Sequence, residues 1–361
     1  MLGTGHVSDP LVELQGSTLD LLRGYLPGPS AGVAQRSPGG PAPPSSPPTA
    51  NPVALLDFPA HPNAGDHLIY LGQQQYLRRL GYQVGYLADT LRYRPEELRR
   101  RVPHGPILLQ GGGNLGDRWL PTQEFRERVV RDFPDRPVIQ LPQSVDFADP
   151  RRAEQAARVF AAHPDLLLLL RDERSLARAR LIFPGVRTQF CPDLAVGIGW
   201  LDRVADPDHD VVQLLREDNE RSGDHQITFP SSVRTLRTDW GFSGWSRLSW
   251  TAVRVPGAVA TRVPALASAL QPLVERSFDQ MAWLNVRRAI GVLCRGRGVL
   301  TDRLHAAVLA ALLGIPVVVL DNSYGKISAA YEAYLRMLPT LTFASSPRVA
   351  RDQLLEKIAS R

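Results

Sequence analysis

The residues with most chemical promise stand at strand-to-helix junctions. In Thr301-Asp302-Arg303-Leu304-His305 an apolar strand gives way to a helix that runs to Gly314, with Pro316 beyond. This spacing predicts Arg303 and His305 in the first helical turn. A cation there opposes the helix dipole by about 0.3–1 kcal/mol, so Arg303 makes sense if an anion docks beside it. The plainer alternative pairs it with Asp302 or Asp321. The same dipole favours a neutral His305, which suits a general base; the competing reading is a histidine that only hydrogen-bonds a loop. Asp321-Asn322-Ser323-Tyr324-Gly325-Lys326 follows the next apolar strand and should sit beside Thr301–His305, since consecutive βαβ strands are usually neighbours. Lysine occurs only at Lys326 and Lys357 in this arginine-biased chain, and a compact ammonium at Lys326 is a candidate anion ligand. Arg216, at the end of an apolar segment, should project from the same edge.

The first half holds three further junctions: His61-Pro62-Asn63-Ala64-Gly65-Asp66, Gly111-Gly112-Gly113-Asn114-Leu115-Gly116-Asp117 and Leu141-Pro142-Gln143-Ser144. Each is expected to place small or hydrogen-bonding residues before a helix, where backbone N–H groups and the dipole favour an anion or polar ligand. A purely structural turn is the ordinary reading of any one of them. Gly111, Gly113 and Gly116 fit G-x-G-x-x-G, but a dinucleotide site wants that pattern on the first strand, with an acid closing the next. Asp135 precedes its strand here, which argues against it.

These junctions need a scaffold of alternating strands and helices. Strands are expected at Val53–Phe58, Tyr82–Tyr86, Ile107–Gln110, Val138–Leu141 and Leu166–Arg171. Helices are expected at Asp66–Leu80, Pro121–Phe133 and Arg151–Ala162. A second series has strands at Val211–Leu215, Val299–Thr301 and Ile315–Leu320. Its helices are Val263–Cys294, Asp302–Leu313, Ser328–Met337 and Pro347–Ser360. Such alternation implies parallel sheets with helices on both faces, and ligands in such sheets bind at the carboxyl ends of strands. Ser222–Thr261 is less regular. Ahead of all this, Leu11–Tyr25 reads as a short amphipathic helix. Pro27–Pro52, rich in Pro, Ser, Gly and Ala, reads as a flexible linker. Residues 1–50 are accordingly expected to be dispensable for folding.

At 361 residues, two domains are the prior, and 43% hydrophobic with 22% charged residues is ordinary for a globular protein. No apolar run approaches the ~18–20 residues that span a bilayer. Met1–Pro10 lacks the apolar stretch of a secretory signal. Cys191 and Cys294 fit no metal or redox spacing and suit a reducing cytoplasm. The net charge of +6 is compatible with acidic small substrates. Acidic residues are interspersed among the basic ones and Arg99–Arg101 lacks interleaved aromatics, so a solvated basic surface is favoured over a nucleic-acid partner.

Taken in order, Asn63–Asp66, Gly111–Asn114, Leu141–Ser144, Arg171–Ser175, Cys191–Asp193, Arg216–Asp218, Thr301–His305 and Asp321–Lys326 resemble the polysaccharide pyruvyl transferase family, with the closest likeness to members associated with bacterial exopolysaccharide clusters. The resemblance runs from about Val53 to about Tyr331. It implies an α/β fold of two Rossmann-like domains facing a cleft, as in GT-B glycosyltransferases, at 53–205 and 206–361 after the segment 1–52. It further implies phosphoenolpyruvate as donor and transfer of pyruvate to two sugar hydroxyls as a ketal. The family's Arg-Leu-His motif falls on Arg303, Leu304 and His305. Ala306 stands where a glycine is common, and Ser222–Thr261 matches nothing in the pattern.

On this reading Arg216, Arg303 and Lys326 bind the anionic donor. Asn63, Gly65, Gly112, Gly113, Asn114, Gln143, Ser144, Asn322 and Ser323 line the substrate site. His305 serves as one acid–base group and Asp66 (or Asp117) as the other, a contribution of roughly 10²–10⁴-fold each. The chemistry demands no metal or cofactor, since cationic side chains can supply the charge. The acceptor is a saccharide, free or lipid-linked, with peripheral membrane association left open and a cytoplasmic location expected. A sugar-nucleotide-dependent glycosyltransferase of the same fold and a non-catalytic sugar- or anion-binding partner in polysaccharide assembly are the alternatives.

Overall fold

The structure, a computed structural model, describes residues 9–26, 51–216, 227–241, 244–321 and 325–360. It is a mixed α/β protein built on two parallel sheets. The first half runs α1 (Pro10–Tyr25), β1 (Asn51–Leu56), α2 (Ala64–Arg79), β2 (Tyr82–Ala88), α3 (Pro95–Arg101), β3 (Ile107–Leu109), β4 (Gly112–Gly116), α4 (Leu120–Asp132), β5 (Val138–Asp146), α5 (Pro150–Ala161), β6 (Leu166–Leu170), α6 (Glu173–Ile182) and β7 (Arg187–Phe190). The second half runs β8 (His209–Leu214), β9 (Thr235–Arg237), α7 (Gly244–Val253), α8 (Val255–Arg262), α9 (Ala267–Leu293), β10 (Gly296–Thr301), α10 (Leu304–Leu312), β11 (Val317–Val319), α11 (Lys326–Ala333), β12 (Leu341–Phe343) and α12 (Pro347–Ala359).

The first sheet has the order β2-β1-β3-β5-β6-β7, with β4 also pairing β5; the second has the order β12-β11-β10-β8-β9. Helices covering both faces explain the continuous apolar strands. All five leucines of β6 are buried, as are the three valines of β11.

Two of the three expected first-half loops are strand. Gly112–Gly116 extends beside β5, with Gly112 opposite Gln143 and Gly116 opposite Asp146. Leu141–Ser144 lies inside β5 rather than after it. The ladder shifts register between Gln140 and Gln143, so the strand passes Pro142 at an irregularity. The G-x-G-x-x-G pattern is therefore part of a strand, not a phosphate-cradling turn. Only His61–Asp66 leads directly into a helix, where the Asn63 side chain caps α2 by accepting from the Gly65 N–H at 2.9 Å.

Helix α2 and helix α9 tie the halves together. Tyr70 donates to Asp279 Oδ1 at 2.7 Å. Phe58 stacks on Phe278 with centroids 4.3 Å apart. Arg101 pairs with Glu275 at 2.7 Å. On the other side of α2, Gly72 and Gly197 admit a 3₁₀ turn at Leu194–Ile198 that side chains would exclude.

The N-terminal segment departs from expectation. Helix α1 packs on the core, burying Leu11, Leu14 and Leu22, with Leu26 behind it. The buried amide of Gln15 donates to the Val196 carbonyl at 2.7 Å, and the Trp200 indole donates to Asp9 at 2.6 Å. The amphipathic stripe thus has a partner. The linker expected at Pro27–Pro52 lies outside the described residues except for Asn51 and Pro52, which begin β1. Each buried leucine contributes about 1.5–3 kcal/mol. Deleting residues 1–50 should therefore lower the melting temperature by more than about 5 °C. An unchanged melting temperature would show that α1 contributes nothing.

His67 makes the stability of the fold depend on pH. Its Nε2–H donates to the Pro59 carbonyl at 2.9 Å, and its ring lies near those of Phe58 and Trp250. Burial pushes its pKa down to about 4, with the Asp66 charge opposing the shift. The unfolded chain takes up that proton near pH 6.5, so between about pH 6.5 and 4 the unfolded state binds more protons and stability falls with pH. At pH 5 this loss amounts to about 2 kcal/mol. Urea unfolding at pH 7 and pH 5 should show a smaller difference for His67→Gln than for the native chain; equal differences would remove His67 from the account.

Candidate active site

The carboxyl edges of the two sheets meet at one buried carboxylate. Asp193 follows β7, is 1% exposed, and bonds residues from both halves. Arg171, at the end of β6, pairs with Asp193 Oδ2 through Nη1 at 2.7 Å. His305, in the first turn of α10, places Nε2 3.2 Å from the same oxygen. The Ala195 N–H donates to Oδ1 at 2.9 Å. Burial alone would raise the Asp193 pKa, but His305, Arg171 and the Ala195 N–H outweigh it and hold the carboxyl well below the usual range. The network continues inward: Arg171 Nε donates to Ser144 Oγ at 2.8 Å, and Ser144 donates to Asp172 at 3.0 Å.

Two glycines make this convergence sterically feasible. A Cβ on Gly65 would lie 2.7 Å from His305 Nδ1, and one on Gly113 would lie 2.6 Å from Arg171 Nη2. With Nε2–H donating to Asp193, Nδ1 faces the first turn of α2. Asp66 stands in that turn, its Oδ2 2.9 Å from His61 Nε2. Burial opposes ionisation of Asp66, yet His61, His305 and His67 together hold its pKa below the ordinary value. The bond to Asp66 raises the His61 pKa in return.

The remaining expected residues fall into three groups. Gln143 and Asn114 form a frame: Gln143 Oε1 accepts from the Asn114 N–H at 2.9 Å, and its amide donates to the Gln110 carbonyl and to Asn114 Oδ1. Gly112, opposite Gln143, lies against that amide. Arg126, 1% exposed, bonds both Asn114 and Asp57. Arg216 and Arg303 stand together at the ends of β8 and β10. Asp302 ties them by accepting from the Arg216 N–H at 2.8 Å. Lys326 begins α11, where Arg174 reaches the Gly325 carbonyl across the cleft at 3.4 Å. Asn322 and Ser323 lie outside the described residues. Asp117 is occupied elsewhere, accepting from the Ala148 and Asp149 N–H groups.

Arg303 is placed differently from expectation. It is the N-cap of α10, with extended backbone, not a residue of the first turn. Its partner is neither Asp302 nor Asp321 but Asp239, at 2.9 Å, and its guanidinium lies 5.8 Å from the Trp240 ring centroid. The cause is β9, which adds to the sheet edge beside β8 and brings Asp239 and Trp240 to the Arg303 guanidinium. Asp321 instead accepts from the Ile327 and Ser328 N–H groups and caps α11.

Sequence reasoning gave no role to Asp193, Arg171, His61 or Asp57. The signals were weak: a Cys-Pro-Asp turn, an Arg-Asp pair, a histidine five residues before Asp66. Cys191 is no nucleophile, because burial and then the Asp193 charge push its thiol far above the ordinary range.

Two cavities open at these edges. One, of about 510 Å³, is bounded by Ser144, Asp172, Arg174, Arg178, Gly325 and Lys326, and so draws cations from both halves. The other, of about 170 Å³, is bounded by Asp57, His61, Asp66, Gln110, Asn114 and Arg126. Asp57 there adopts the left-handed φ of 67°. Burial raises its pKa to about 6 against the opposing pull of Arg126.

The structure is thus a two-sheet α/β protein in which a histidine–carboxylate pair, linked through Arg171 to Ser144, adjoins a cation-lined cavity. The sequence pattern of the polysaccharide pyruvyl transferase family matches residues 63–324. Pyruvyl transferase 1 of Schizosaccharomyces pombe is 32% identical over 297 residues, covering 78% of this chain and 69% of that protein. EpsO of Bacillus subtilis, provisionally named a pyruvyl transferase, is 27% identical over 81% of this chain and 88% of its own length. A crystal structure of a functionally uncharacterised protein from Klebsiella pneumoniae covers 82% of this chain and 94% of its own, with a TM-score of 0.50 and 19% identity, which bears on the fold alone. The chain belongs to the polysaccharide pyruvyl transferase family and is a transferase.

Removing the Asp193 charge should expose its structural weight. Asp193→Asn leaves Arg171 buried without its counter-charge, a loss of about 3–5 kcal/mol at pH 7. Because the Asp193 pKa is depressed in the folded state, its contribution is present above the unfolded carboxyl pKa near 3.9 and is lost as pH falls below it. Denaturant unfolding should show the full deficit at pH 7 and a smaller one below pH 4. A deficit under about 1 kcal/mol at pH 7 would refute the network's role.

Proposed function

We propose that the protein transfers the enolpyruvyl group of phosphoenolpyruvate to two hydroxyls of a saccharide, forming a pyruvate ketal, across a cleft between Rossmann-like units 53–205 and 206–361 in a GT-B-like arrangement. The observation that carries this reading is the His305–Asp193 bond, which joins the edges of the two sheets and connects through Arg171 to Ser144 in the wall of the cation-lined cavity. Arg303, Arg216 and Lys326 supply the charge for a donor with one phosphate and one carboxylate. The smaller cavity, walled by carboxylates and amides, offers the hydrogen-bonding groups that sugar hydroxyls require.

His305 gives a proton to the donor's methylene carbon, making a methyl group and an electrophilic C2. One sugar hydroxyl forms a bond to C2 as its proton passes to Asp66, which its histidine neighbours hold ionised. The C2–O bond to phosphate breaks, and the second hydroxyl closes the ketal. One hydroxyl proton restores His305 and the other leaves with inorganic phosphate. His305 thus begins as the acid in this scheme, and its bond to Asp193 orients the ring for that role. The sugar-nucleotide and non-catalytic readings draw no support from a specific contact, and the second conflicts with membership of a transferase family.

Phosphoenolpyruvate should raise the melting temperature more than UDP- or GDP-sugars at equal concentration. His305→Gln should keep that shift while lowering phosphate release with a competent acceptor by about 10²–10⁴-fold. A shift with nucleotide sugars only would sink the donor assignment, and full turnover by a folded His305→Gln would sink the role of the histidine.

A further inference from the structure

The stretch from Trp240 to Val274 is chemically unlike the rest of the chain. It contains no aspartate or glutamate, and its charges are Arg247, Arg254 and Arg262, all exposed. It forms α7, α8, a 3₁₀ turn at Pro264–Leu266 and the first turns of α9. This connection between β9 and β10 also leaves apolar side chains in solvent. Leu248, Val255, Val259, Val263, Leu266 and Leu273 are between 38% and 61% exposed. Val255, Val259 and Arg262 share one face of α8, and Val263 and Leu266 follow in the exposed turn beyond its end. Every residue from Thr261 to Leu266 is exposed. Exposed apolar side chains are ordinary when scattered; a clustered set rimmed by one sign of charge marks an interaction surface.

The charge pattern selects the partner. Two copies meeting through this face would bring arginines against arginines with no carboxylate between them, which is unfavourable for an isologous dimer. An anionic phospholipid surface complements both features. Its headgroups attract the arginines and its acyl boundary accepts the valine and leucine side chains. Among the described residues no helix is long and apolar enough to cross a membrane, so contact through this face would be peripheral. The face also adjoins the smaller cavity. Arg92 Nε donates to the Gly257 carbonyl in α8 at 2.9 Å, and its neighbour Leu91, 76% exposed, forms part of that cavity's wall.

We infer that the α7–α8 face, with the Pro264–Leu266 turn, docks the enzyme on an anionic phospholipid surface. The inference stands on exposure and charge, independently of the reaction proposed above. Co-sedimentation of the full chain with phosphatidylglycerol-containing and pure phosphatidylcholine vesicles tests it. Binding should be confined to the anionic vesicles and fall as salt rises. Arg262→Gln should weaken partitioning about fivefold. Leu248→Asp with Val255→Asp should weaken it by more than about tenfold, with the melting temperature little changed because more than half of each side chain is already in solvent. Equal binding to both vesicle types, no binding to either, or undiminished binding by the double variant would overturn the inference. So would a concentration-dependent dimer that the double variant abolishes.

Discussion

A carboxylate buried as deeply as Asp193 survives in ionised form only if its charge is met at close range. Here two groups from opposite halves meet it. Arg171 comes from the edge of the first sheet and His305 from the first turn of α10 beside the second. Neither can retreat by an ångström without leaving part of the charge uncompensated. The separation of the two sheet edges at this point is therefore fixed by electrostatics as well as by apolar packing. The bare backbones at Gly65 and Gly113 follow from that distance, since a methyl group at either would collide with the imidazole or the guanidinium. The packing of α2 follows too: its N-terminus must reach His305 while its body seats against the turn after Asp193 and against α9.

This constraint divides the cleft by charge. Cations from both halves gather where Arg174, Arg178 and Lys326 face one another. Carboxylates gather on the far side of α2's N-terminus, at Asp57 and Asp66. For the proposed reaction the division is useful. A trianionic donor is attracted to the first region and repelled from the second, where neutral sugar hydroxyls meet hydrogen-bond acceptors instead. Asp66 stays ionised because burial is outweighed by its bond to His61 and by the nearby His305, whereas at Asp57 burial dominates and raises the pKa to about 6. Two acids within one cavity thus have different proton affinities, set by their neighbours and not by residue type.

Much of this scaffold was legible in the sequence. The buried strands read as apolar runs, and Gly314 and the prolines marked helix limits, because parallel strands and helix ends have local signatures. The junctions holding Asn63, Gly65, His305 and Lys326 were found for the same reason. What escaped was non-local. Nothing in Cys191-Pro192-Asp193 announces that its carboxylate will meet a histidine 112 residues away. The glycine-rich segment read as a turn because glycine has no side chain to reveal extension, and its strand character comes from pairing with β5. The stripe of α1 was visible but its partner was not, since Val196 and Phe190 belong to irregular or short elements. The misplacement of Arg303 has the same source: β9 is three residues long, too short to leave a periodic pattern, yet it delivers Asp239.

The two arginine–aspartate pairs at the cleft differ in a way that assigns them different duties. Arg171 and Asp193 are both nearly inaccessible, so exchanging either partner for a ligand would strand a buried charge at a cost of several kcal/mol. That pair is framework. Arg303 is also largely covered, but its partner Asp239 is more than half exposed. Pairs with an exposed member contribute only about 0–1 kcal/mol, and a displaced Asp239 would be rehydrated at once. An incoming carboxylate or phosphate can therefore replace Asp239 on the Arg303 guanidinium at little cost, keeping the cation paired before and after binding. In the proposed reaction such an exchangeable partner would also answer the dipole objection to a cation at this end of α10: Arg303 would be positioned by a weak internal anion and released to a stronger external one, while the buried Arg171–Asp193 pair keeps His305 in place.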